Sequence, residues 1–113
     1  MTACAGGSFF FDHSNIVYRY STDGITWSDK ASTDSGGLAS THFDMAIRDM
    51  TVALCWGADV PQNVPIYFKK GTISGGTISW DETVDTGGRG RYLECTAVAI
   101  DTNDNYYVAF NGQ

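Results

Sequence analysis

The residues best suited to chemistry fall in three places. Trp56 is followed closely by Asp59, Gln62 and Asn63. An indole face takes the apolar C–H patches of a sugar, and amide and carboxylate groups take its hydroxyls, so the cluster reads as a carbohydrate platform. The competing reading for Trp56 is a place in the core. Arg89-Gly90-Arg91-Tyr92 sets two guanidinium groups on either side of a glycine. That pattern can grip a carboxylate or another anion bidentately, or serve as a solvated loop or an ion pair between subunits. Asp101-Thr102-Asn103-Asp104-Asn105 has the composition of a calcium loop but lacks the closing Glu of an EF-hand, and reads as a hairpin turn. Asp34 and His42 add single polar groups that fix no chemistry alone.

Other classes of site are not indicated. Three cysteines, Cys4, Cys55 and Cys95, make no disulfide framework, and no C-x-x-C spacing marks a metal or redox site. Cys55 and Cys95 fall in strand-like runs and read as buried thiols. No cofactor motif is found. The formal charge of −6, with Lys and Arg scattered, offers no basic stripe to displace counterions, so no nucleic-acid partner is expected. No stretch approaches the roughly 20 apolar residues of a membrane span, and the first residues lack the charged and apolar regions of a signal peptide. The compartment is not readable.

The elements that must position these residues emerge from an internal repeat. Ile16-Val17-Tyr18-Arg19-Tyr20-Ser21-Thr22-Asp23-Gly24-Ile25-Thr26-Trp27 is echoed by Pro65-Ile66-Tyr67-Phe68-Lys69-Lys70-Gly71-Thr72-Ile73-Ser74-Gly75-Gly76-Thr77-Ile78-Ser79-Trp80. Each copy reads strand, glycine turn, short strand, Trp. Asp44 to Gly57 is echoed by Thr96 to Gly112. Trp27 to Trp80, Ala46 to Ala99 and Gly57 to Gly112 are 53, 53 and 55 residues apart. Apolar residues alternate over short runs, and no helical period is present. One repeat of four short strands matches a propeller blade.

The fold expected is therefore all-β: blades of four-stranded antiparallel sheet in a β-propeller, about two per chain. Residues 1–30 read as a partial blade, 38–84 as a complete blade and 93–113 as a partial blade. In the complete blade the strands are Thr41–Arg48, Thr51–Gly57, Pro65–Lys70 and Thr77–Thr83. The first partial blade holds Ser8–Asp12, Ile16–Ser21 and Ile25–Asp29, with Thr2–Ala5 left open. The last holds Glu94–Ile100 and Tyr106–Asn111. Two blades cannot close a ring, so homo-oligomerisation is expected to complete it, a trimer giving about six blades within the usual four to eight. A fragment of a longer propeller is the rival. The loops Lys30–Thr41, Ala58–Val64 and Asp85–Leu93 would share one end of such a ring and carry Trp56, Asp59, Gln62, Asn63, Arg89, Arg91 and Tyr92 together.

Ser21-Thr22-Asp23-Gly24-Ile25-Thr26-Trp27 resembles the Asp-box, S-x-D-x-G-x-T-W, with one spacer missing. Ser74-Gly75-Gly76-Thr77-Ile78-Ser79-Trp80 keeps Ser, Gly and Trp but not Asp. The resemblance is to sialidase-like, BNR-repeat propellers, and as a blade pattern it covers most of the chain. It implies that Ser21, Asp23, Gly24, Thr26, Trp27, Ser74, Gly76 and Trp80 are structural, on the end opposite the ligand. It also implies what an enzyme of the family needs: three arginines, a Tyr–Glu nucleophile pair and an Asp acid/base. The first arginine's signature is absent, and Tyr92 and Glu94 are joined only by nearness in sequence. The function expected is thus a non-catalytic module binding carbohydrate or protein through its loops. The alternatives are part of a glycoside-acting enzyme and a purely structural ring unit.

Overall fold

The computed structural model describes residues 15–35, 39–58, 63–90 and 97–112, and for 39–42 the backbone alone. These residues form nine strands and no helix: β1 (Val17–Tyr18), β2 (Ala31–Ser32), β3 (Ala39–Arg48), β4 (Thr51–Ala58), β5 (Val64–Ser74), β6 (Thr77–Trp80), β7 (Val84–Gly90), β8 (Ala97–Ile100) and β9 (Tyr106–Ala109). Every pairing is antiparallel. The chain is all-β, as its alternating pattern requires. The expected strands Ser8–Asp12 and the open Thr2–Ala5 lie outside the described residues.

The central sheet runs β3-β4-β5, and β6 and β7 lie end to end along the free edge of β5. β6 pairs from Gly71↔Trp80 to Ser74↔Thr77, and β7 from Phe68↔Val84 to Val64↔Gly90. This corrects the expected outer strand, Thr77–Thr83, and the expected loop, Asp85–Leu93. Strand pairing breaks after Trp80 and then resumes as far as Gly90. A bulge explains how Thr86-Gly87-Gly88 stays in the sheet. Gly87 takes φ 82°. The Thr86 hydroxyl donates to the Ile66 carbonyl at 2.9 Å and accepts from Gly88 N–H at 3.1 Å. Three residues, Thr86 to Gly88, thus stand opposite the single Ile66, and two extra residues so accommodated bend a strand without ending it. The expected strand Ile25–Asp29 does not form either. The Asp23 carboxylate takes the Ile25 and Thr26 N–H groups, and β1 pairs instead with β2, Val17 facing Ser32.

Strand alternation gives the central sheet two different faces. Register sets Met45, Ile47, Val52, Leu54, Trp56, Tyr67, Lys69 and Trp80 on one, and Ala46, Ala53, Cys55, Phe68 and Lys70 on the other. On the first face Ile16 packs with Leu54 and Trp56, flanked by Tyr67 and Trp80. On the second, Val98 packs with Ala53 and Cys55, flanked by Ala46, Phe68, Ile100, Tyr106 and Val108. The β1–β2 pair thus lies against one face and the β8–β9 hairpin against the other. Residues 52–58 of β4 are buried throughout, which is why Val-Ala-Leu-Cys-Trp-Gly-Ala shows no polar alternation. Each large apolar side chain fully buried there contributes about 1.5–3 kcal/mol. Polar ties hold the second joint. Arg48 Nε donates to the Asp101 carbonyl at 2.8 Å and an Arg48 terminal nitrogen to the Thr102 carbonyl at 3.1 Å, while Val98 N–H donates to Asp44 at 3.0 Å.

Candidate functional site

The register sorts the sequence-predicted residues between two ends of the central sheet. At one end lie Ala58, Asn63 and the Arg89-Gly90 end of β7, since Val64 faces Gly90 and Pro65 faces Arg89. Gly90 also bridges Gly112. At the other end lie the β3–β4 turn, the Ser74–Thr77 turn and, through the Arg48 bonds, the Asp101–Asn105 turn. Asp59, Gln62, Arg91 and Tyr92, and also Glu94, Cys4 and Cys95, lie outside the described residues.

Of the predicted ligand residues, Arg89 and Asn63 come to one strand end, and Trp56 lies in the sheet behind them. Arg89 belongs to β7 and not to a loop. Its guanidinium meets both Asp85 carboxylate oxygens at 3.1 and 3.3 Å and donates to the Gly88 carbonyl at 2.8 Å. That guanidinium, and next the Gly87 N–H, hold the Asp85 carboxyl below its ordinary range. An anion could reach the exposed Arg89 only in competition with Asp85. Asn63 opens β5 with φ 51°, in the left-handed region Asn tolerates. Trp56 is 1 % exposed, its ring 5.8 Å from Tyr67. It presents no ring face at the surface, and its indole N–H, like that of Trp80, has no acceptor among the described residues.

The opposite end holds a turn closed by side chains. The Ser21 hydroxyl accepts from Asp23 and Gly24 N–H at 3.2 and 2.8 Å and donates to Asp23 at 3.0 Å. Asp23 Oδ1 accepts from Ile25 and Thr26 N–H at 2.8 and 2.9 Å. Gly24 takes φ 76°. The Thr26, Ile25 and Ser21 hydrogen bonds lower the Asp23 pKa, because each favours the charged carboxylate. Trp27 is 53 % exposed. Asp101 is similar: it accepts from Asn103 and Asn105 N–H, the Asn105 amide and the Tyr107 hydroxyl, at 2.8–3.0 Å. These bonds, led by Asn105, hold its carboxyl at about 2. Among the described residues no cluster of three His, Cys, Asp or Glu is placed to hold a metal ion.

Two features were not foreseen. A groove of about 280 Å³ opens between Tyr18, Tyr20 and Trp27 on one side and Met45, Ile47 and Ile78 on the other. Met45-x-Ile47 alternates like any covered strand, and nothing in sequence marks it as exposed. Lys69 is buried, its ammonium donating to the Asp34 carbonyl at 2.6 Å, with Asp34 at φ 56°. The signal was there: adjacent lysines in a strand must point to opposite faces. Lys70 accordingly reaches the other side, 5.8 Å from the Tyr106 ring centre.

Compared with protein-family models, curated proteins and solved structures, the chain matches none.

Proposed function

We propose that this chain is a non-catalytic β-propeller module of Asp-box type. It binds a carbohydrate or protein ligand through the end bearing Asn63 and Arg89, and completes its ring with further copies. The observation behind this reading is the stacking. An antiparallel β3-β4-β5 meander, its outer edge shared by β6 and β7, is covered on one face by β1–β2 and on the other by β8–β9. Face-to-face layers in chain order are how propeller blades bury surface no single blade can bury alone. The turn built on Ser21 and Asp23 fits the Asp-box role, at the end away from Arg89. Function on such a fold lives in the strand-end residues.

The test is binding of the purified chain to immobilised neutral and acidic glycans, read by surface plasmon resonance. Binding should fall in Arg89→Ala and Asn63→Ala and be unchanged in Asp23→Asn. Turnover of any glycoside by the purified chain, or binding indifferent to Arg89 and Asn63, would overturn the reading.

A further inference from the structure

The joint between β3–β4 and β8–β9 shows how two hairpins of this repeat stack on one another. Register and spacing align the two hairpins. Met45 faces Leu54 as Val98 faces Val108, and Ala46 faces Ala53 as Ala99 faces Tyr107. Met45 and Ile47 therefore hold in β3 the places that Val98 and Ile100 hold in β8, each 53 residues apart. Val98 and Ile100 dock on the shallow face made by Ala46, Ala53 and Cys55, and Val98 is left 8 % exposed. Met45 and Ile47 point to the opposite face of the sheet and are 43 % and 56 % exposed.

The same alignment supplies their counterpart. Ala99, Tyr107 and Ala109 hold the places of Ala46, Ala53 and Cys55, and all three are exposed. The Tyr107 hydroxyl donates to the Asp101 carboxylate at 2.9 Å, which ties the ring to the hairpin's own turn. Among the described residues an apolar ridge, one wall of the groove opposite Tyr18, Tyr20 and Trp27, and a face with the Tyr107 ring in the place of Ala53 are thus left exposed, and the internal joint displays how two such hairpins stack.

We infer that copies associate head to tail, the Met45/Ile47 ridge of one seating on the Ala99/Tyr107/Ala109 face of another. The contact is heterologous, so it closes into a ring or continues as a filament according to the rotation between layers. The inference deepens the self-association in the proposed function and rests on the stacked-layer part of that reading alone.

Light scattering on the full chain and on two single variants tests it. Ile47→Glu spoils the ridge, and Ala99→Arg spoils the shallow face. Wild type should associate with rising concentration, and each variant should weaken association roughly 30-fold or more, the effect of losing a central interface residue. An equimolar mixture of the two variants should give dimers and nothing larger, since each retains one usable face. Circular dichroism must show both variants folded. Met45→Lys and Ala109→Arg replace either one that is not. A wild type monomeric at all concentrations, association that survives either variant, or a mixture that stays monomeric would overturn the inference. Glycan binding by the monomeric variants is read separately, so the ligand reading can fail or stand independently.

Discussion

The turn at Ser21–Trp27 and the turn at Ser74–Trp80 begin from similar strings and end in different structures. The first is closed by side chains: Asp23 and Ser21 take the N–H groups of 23–26, and no strand follows until β2. The second is closed by the backbone: Gly75 and Gly76 both take positive φ, 59° and 85°, and the ladder runs without a break from Ser74↔Thr77 to Gly71↔Trp80. Two consecutive positive-φ residues give the primed hairpin turn whose twist suits antiparallel strands. Where Asp is present it draws donors away from a ladder; where Gly-Gly replaces it the ladder persists. The strand that leads into the first turn touches the second hairpin. Tyr18 accepts Ile78 N–H on its hydroxyl at 3.0 Å and its ring meets Trp80 at 6.3 Å.

The two tryptophans separate the turns most sharply. Trp80 packs on Leu54 and Trp56, whereas Trp27 is half exposed beside the groove. Trp80→Ala should cost about 3 kcal/mol, the low end for an aromatic deleted from a core because Trp80 is only partly buried. Trp27→Ala should cost less than about 1 kcal/mol. Urea unfolding of both variants measures the gap. Equal costs would mean that the turns are energetically alike despite their hydrogen bonding.

The glycines come next. A Cβ on Gly76 would stand 2.4 Å from the Tyr20 ring, while one on Gly24 would meet nothing within 4 Å. Both positions are left-handed, which costs an L-residue about 1–2 kcal/mol. Gly24→Ala should lose about that amount. Gly76→Ala should lose about 1–2 kcal/mol more, since the ring must move and its overpacking adds to the backbone strain. Thermal melts at fixed pH compare them. A Gly76 variant no worse than the Gly24 variant would show that Tyr20 yields freely.

Strand alternation, the order of the hairpins and the repeat period were legible because each rests on local pattern. The bulge at Thr86–Gly88 was not, because two glycines read as a loop wherever no side-chain acceptor is known to rescue the strand. Trp56 reads equally as platform or core; only the covering of β4 on both faces decides that its ring is buried. Arg89 reads as an available cation until Asp85, four residues back, is seen in reach along a bulged strand. The exposed Met45/Ile47 ridge was invisible for the opposite reason. Its pattern is that of a buried strand, and exposure depends on what lies beyond the chain's own layers.

The smallest expected effect is the dependence on acid, and it isolates the first turn. Asp23 is held below its ordinary value of 3.8 by donors that want a carboxylate. A lowered folded-state pKa means that its stabilisation is complete above the unfolded value and fades as pH falls through the folded one. The Ile25 and Thr26 amides should therefore shift and lose protection only below about pH 4. The Ser74–Thr77 turn has no carboxylate in its closure, so the Thr77 and Ser79 amides, which face Ser74 and Thr72 in the ladder, should hold through the same range. The Asp101 turn supplies an internal reference. Its carboxyl sits at about 2, so the Asn103 and Asn105 amides should be the last of the carboxylate-bound set to change. An NMR titration from neutral pH to pH 2 follows all of them in one sample. If the Asp23 carboxyl titrates at or above 3.8, or if Ile25 and Thr77 respond together, then the first turn is not held by its carboxylate and the two turns do not differ in mechanism.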